Sequence, residues 1–317
     1  MKPFAARLAR LAAPLVVRLV VPLAVALLGA GPAGAVLAPD QPDLSFGAFQ
    51  RGYFRTAFDE AMKRVDADPH DAAAMTMIAE LYAQGIGAPQ NLDEAMRWYK
   101  LAAEQGDKNA QYALGNAYLA GHGEKKDAAA AKDWFEKAAA QDHAGALFNL
   151  GVIALEGNGV ASDFTAAAQD FRRSAELGFP DAAYSLALLY REGKGVEQNR
   201  AKADEWLLVA AREDFLAAQV EYGIALFNGD GVPADEAGVA KWLLRAANRA
   251  NPVAQNRVAR MLFAGRGLKQ DHVEAAKWAI LSASAGLRDP WLDSEAAKLT
   301  PEERQKAEQA IKLYLGR

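Results

Sequence analysis

The chain has 317 residues, is 51% hydrophobic with only 9% aromatics, and carries a formal charge of −4. It contains no cysteine, which excludes disulfides, thiolate metal sites, a cysteine nucleophile and a lipid-modified cysteine. The first 35 residues hold four basic residues (Lys2, Arg7, Arg10, Arg18) and no acid, leaving −8 on the rest, a balance that argues against a phosphate-backbone partner.

In chain order, the first element reads as an export signal. A basic stretch through Arg18 precedes the apolar run Leu19–Ala30, and Ala33-Gly34-Ala35 supplies an A-x-A cleavage site. Residues 1–35 are therefore expected to be a signal peptide removed after Ala35. The competing reading is a retained anchor, since 21 uncharged residues run from Leu19 to Pro39. Pro22, Pro32 and the glycines at 29, 31 and 34 interrupt a continuous spanning helix, however. On either reading the rest of the chain lies outside the cytoplasmic membrane, periplasmic or secreted, and any membrane contact is confined to the amino-terminal segment. Residues 36–47 are expected to be an extended linker. Residues 48–71, with FRTAFDEAMKRVDADP, are expected to form a lone capping helix.

From residue 72 the sequence repeats. Gly-x-Gly begins at Gly85, Gly121, Gly157, Gly193, Gly229 and Gly265, a constant interval of 36 residues. Eleven positions before each first glycine stands alanine, from Ala74 to Ala254, and eighteen after it stands alanine again, from Ala103 to Ala283. Six positions after it stands Asn or Asp: Asn91, Asp127, Asp163, Asn199, Asp235 and Asp271. The first glycine is expected to end a helix in the left-handed conformation, and the Asn or Asp to cap the next. Glu94 and Glu274 stand where a capping box would close. The repeated alanines mark close helix approach. Thirteen positions after the glycine, tryptophan (Trp98, Trp134, Trp206, Trp242, Trp278) is expected to fill the core in five units. In the third, Asp170 breaks the rule beside Phe171.

These registers resemble the Sel-one-like repeat family, 36-residue relatives of the tetratricopeptide repeats. One unit reads NAQYALGNAYLAGHGEKKDAAAAKDWFEKAAAQD from Asn109 to Asp142, and the resemblance covers residues 72–287. It implies an all-α, right-handed α-solenoid of six 36-residue antiparallel helix pairs, with the first helix of each pair on the concave side. It also implies an adaptor role. Residues 288–317 are expected to be carboxy-terminal capping helices, because Thr300-Pro301-Glu302-Glu303 is a helix start and terminal units need a polar outer face.

Chemistry-bearing motifs are scarce. The glycine pairs follow helices and lack the lysine–serine pair of a phosphate loop. His70, His122, His143 and His272 occupy different registers and no metal spacing, so neither a metal nor an organic cofactor is expected. Function is instead expected at the positions eight and five before each first glycine, which vary most between units and share a helix face. They pair Met77 with Glu80, Ala113 with Asn116, Asn149 with Val152, Ser185 with Leu188, Glu221 with Ile224, and Arg257 with Arg260. Val152, Leu188 and Ile224 would make an apolar floor between polar flanks, with an acid at one end and two arginines at the other. That arrangement suits an extended or helical segment of a protein partner. The competing reading packs these side chains between neighbouring first helices. The sequence thus points to a non-enzymatic protein-interaction scaffold or regulator in the bacterial envelope. The alternative is an envelope enzyme or peptidoglycan-binding protein using the same groove.

Overall fold

The computed structural model describes residues 43–121, 125–157 and 161–316. The expected export signal, most of the linker, His122 and the second glycines Gly123 and Gly159 lie outside them. Among the described residues there are sixteen α-helices and no strand. They form two compact units, one ending at Leu177 and one beginning at Gly178.

The first unit contains α1 (Leu44–Gln50), α2 (Phe54–Ala67), α3 (Ala72–Gln84), α4 (Leu92–Glu104), α5 (Lys108–Ala120), α6 (Ala128–Ala139), α7 (Ala144–Glu156) and α8 (Phe164–Glu176). The second contains α9 (Pro180–Glu192), α10 (Arg200–Arg212), α11 (Leu216–Asn228), α12 (Glu236–Asn248), α13 (Pro252–Ala264), α14 (His272–Ser284), α15 (Pro290–Ala297) and α16 (Pro301–Tyr314). Within each unit the two helices of a repeat pack on each other, and each second helix packs on the next first helix. This is the sequential packing of an α-solenoid.

The punctuation acts as its chemistry dictates. All six first glycines cap their helices with φ between 65° and 78°, a region where a Cβ is costly. All six Asn or Asp side chains accept N–H bonds from the first turn of the following helix. The capping boxes at Glu94 and Glu274 do not close. Glu94 turns to Arg97 at 3.3 Å and Glu274 to Lys277 at 2.5 Å, because a charge-assisted bond one turn away competes with the neutral backbone N–H. The only capping box among the described residues is at Thr300 and Glu303.

Two boundaries differ from expectation. The linker does not reach residue 47, since Asp43 caps a helix starting at Leu44. The front cap is consequently a helix pair, α1 on α2. Tryptophan is buried in the core of the first, fifth and sixth repeats as Trp98, Trp242 and Trp278, but in the middle repeats the core register moves by one residue. Trp134 and Trp206 are only half-buried, whereas the next residue, fourteen after the glycine, is fully buried as Phe135 and Phe171. Asp170 therefore leaves no hole, and Phe171 occupies its ordinary register.

That register is matched by the position six before the glycine. A Cβ on Gly115 would sit 2.5 Å from the Phe135 ring, and one on Gly151 2.6 Å from Phe171. Where the fourth repeat carries the smaller Leu207, the same position is Ala187. Gly151→Ala is therefore expected to cost about 1–3 kcal/mol by overpacking, although alanine is the better helix former by roughly 0.5–1 kcal/mol. In a Phe171→Leu background the same substitution should cost nothing. Urea unfolding of the four proteins of this cycle checks it, and an equal cost in both backgrounds would refute the pairing.

Candidate functional site

The first helices carry the twelve positions singled out in the sequence, and the two units hold them differently. In the first unit Glu80 and Asn116 are buried. Burial, and then the charge of Asp107, pushes the Glu80 carboxyl up to about 8, so at neutral pH it is largely uncharged. Asn149 donates through Nδ2 to Asn116 Oδ1 at 3.0 Å, joining the first helices of repeats two and three. Val152 stays half-buried on the same helix as Asn149.

In the second unit Ser185 and Leu188 are both 1% exposed. Leu188 is thus packed inside α9 and is not part of an open floor. Ser185 donates its hydroxyl to Asp181 O one turn back at 2.8 Å. The carboxylate of Glu221 accepts from Tyr184 OH and from Arg191 Nη1, each at 2.6 Å, across to the preceding repeat. Arg260 forks Asp289 at 2.7 and 2.8 Å and lies over the Trp291 ring at 5.1 Å. It holds the start of α15 and does not mark a free end of a groove. Ile224 remains half-buried, and Arg257 is exposed.

The variable positions therefore split. Four of them, Asn116, Asn149, Glu221 and Arg260, bond to a neighbouring repeat or to the cap, and Glu80, Ser185 and Leu188 are buried, which is the packing alternative. Val152 in the first unit, and Ile224 and Arg257 in the second, remain open to a partner.

A second set of contacts escaped the sequence reading. The residue nine before the glycine meets the residue that begins the next first helix. Tyr112 stacks on His143 at 4.3 Å, Tyr184 packs on Phe215 at 5.0 Å, and Asn256 bonds Asp289 at 3.1 Å. In these three pairs aromatic meets aromatic and polar meets polar, whereas the fifth repeat sets Val220 against Asn251 at the same positions. His143 also caps α7, its Nδ1 accepting the Ala146 N–H at 3.1 Å. That bond needs a neutral ring, and burial, with Lys108 nearby, lowers the imidazole to about 4. Among the described residues no three His, Asp or Glu side chains converge within metal-binding reach. No helix there is long and apolar enough to cross a membrane.

Comparison with known proteins gives one family and several structures. A family model described as Sel1 repeat matches six times in succession, at residues 72–107, 108–143, 144–179, 180–215, 216–251 and 252–287. The chain is similar to c5321, a protective antigen present in uropathogenic Escherichia coli strains and displaying an SLR fold, at 29% identity and a TM-score of 0.69. That match covers 81% of this chain and 57% of the antigen's length. It is also similar to a Sel1 repeat protein from Oxalobacter formigenes, at 30% identity and a TM-score of 0.68, over 76% of this chain and 98% of that one. No curated protein matches the chain.

Proposed function

The chain belongs to the Sel1 repeat family, and from that premise we propose that it is a non-enzymatic scaffold or regulator in the bacterial envelope, binding a protein partner on its first helices. Sel1 repeat proteins are in general protein-interaction scaffolds. Fold alone does not assign function, so the reading must rest on the site. The observation that carries it is the split described above: Val152, Ile224 and Arg257 vary in a repeat that is otherwise tightly specified, yet inter-repeat stitching does not consume them. The envelope location rests on the basic stretch, apolar run and A-x-A site of residues 1–35.

A photo-crosslinking residue at position 257, introduced in the native host, tests both parts. The expected result is one dominant crosslinked protein recovered from the envelope fraction, with the chain itself beginning at Val36 by intact mass. A chain recovered only from the cytoplasm, or position 257 giving no crosslink, would contradict the proposal.

A further inference from the structure

The fifth repeat departs from its siblings at positions that meet in space. Seven before the first glycine the other units carry Ile, Leu or Val, and this one carries Tyr222. Nine after it the others carry Glu, Ala or Lys, and this one carries Gly238, inside α12 where glycine weakens a helix. Nineteen after the glycine the other units carry Glu, Ala, Asn or Ser, and the fourth carries Arg212 at the end of α10. All three border one cavity of about 370 Å³ formed by α10, α11 and α12, within the size range of ligand pockets, roughly 300–1,000 Å³.

The missing side chain of Gly238 helps open it, since a Cβ there would meet Asp235 Oδ2 at 2.5 Å and Leu226 at 3.0 Å. Leu208, Leu226 and Trp242 supply apolar wall. Arg212, Lys241 and Arg245 stand around it with exposed side chains. Arg245 is held by Asp214 at 2.6 Å. Arg212 and Lys241 form no ion pair among the described residues, and the Lys241 ammonium lies 5.7 Å from the Trp242 ring. The one acid of the lining, Asp235, is engaged in capping α12 through the N–H groups of Ala237 and Gly238. A half-open cavity with Leu208, Leu226 and Trp242 on one wall and cations at its edge is complementary to a short aliphatic group that ends in an anion.

We propose that this cavity is a second docking point, taking a carboxylate-bearing side chain from an acidic segment of a protein partner. Its aliphatic part lies against Leu208, Leu226 and Trp242, and its carboxylate lies between Arg212 and Lys241. The proposal rests on the scaffold reading and adds the partner's chemistry to it.

The test uses the full chain and a fluorescein-labelled peptide of alternating Leu and Glu, with the Leu–Gln peptide as its uncharged counterpart. Arg212→Ala/Lys241→Ala is expected to weaken the Leu–Glu peptide at least tenfold at unchanged melting temperature. The control Lys269→Ala/Lys312→Ala, of equal charge change elsewhere, should weaken it less than twofold. The Leu–Gln peptide should bind at least tenfold more weakly than Leu–Glu. Equal loss in both double variants would reduce the effect to bulk charge and overturn the site. So would equal binding of the two peptides, or displacement of the peptide by equimolar N-acetyl-leucine, which would make the occupant a small free acid. Because this assay does not use the native partner, it can fail while the crosslink from position 257 persists, and the reverse.

Discussion

Arg64→Met is expected to destabilise the first unit by about 3 kcal/mol, the lower end of the cost of removing one partner from a buried ion pair, because Asp71 is buried while Arg64 is only partly so. Arg64 lies on α2 and is the clasp of the front cap. Its Nε and Nη2 fork Asp71 at 2.8 and 3.0 Å, and Nη1 reaches Asp43 and, at 3.1 Å, Ser45 Oγ. Both acids are already employed: Asp43 accepts the Phe46 N–H to cap α1, and Asp71 accepts the Ala74 N–H to cap α3. The Asp71 side chain is only 6% exposed, so without the guanidinium its charge keeps the Ala74 N–H but has no counter-ion and little solvent. Lysine cannot replace it, because the fork needs a planar, multidentate donor. Arg64→Met/Asp71→Asn keeps a cap and removes the charge, and should recover most of the loss. Urea unfolding with hydrogen exchange across α1 and α3 measures this. A cost below about 1 kcal/mol would mean the clasp is an ordinary surface pair.

Leu188→Glu is the second large effect, about 3–5 kcal/mol, since it places a carboxylate at a position 1% exposed to solvent. Burial raises the folded-state value of such a carboxyl above its unfolded one. Stability is then lost as pH rises from the unfolded value through the raised folded one, so melts at pH 7 should fall further than melts at pH 4. An unchanged melting temperature at pH 7 would place Leu188 on an open surface after all.

Much of the helix punctuation was legible because it depends on single residues at fixed offsets. The left-handed caps at Gly85 to Gly265 and the N-caps at Asn91 to Asp271 require particular side chains whatever surrounds them. The core register was less legible. A recurring tryptophan draws attention by its size, yet a helix period cannot say which of two adjacent residues faces inward. In the first, fifth and sixth repeats the tryptophan itself is buried, whereas in the second and third the glycine six before the cap, Gly115 or Gly151, makes room for Phe135 or Phe171. Helix α1 was missed because seven residues containing Gly47 carry no helical period of their own. The candidate site was half legible for a similar reason. Variation among repeats showed that the positions eight and five before the glycine are not fixed by the backbone. It did not show that Asn116 meets Asn149, or that Tyr184 and Arg191 converge on Glu221. A variable position is free to differ either to bind a partner or to match a varying neighbour.

The few first-helix positions left over from inter-repeat packing are where the partner is expected to bind. Ile224→Lys tests this most directly, measured by crosslink yield from position 257 together with a thermal melt. Lysine can lay its aliphatic stem along the surface and keep its ammonium in water, so the half-buried site should tolerate it. A melt within about 1 kcal/mol of wild type and loss of the crosslinked partner are expected. An unchanged melt with undiminished crosslinking would contradict this.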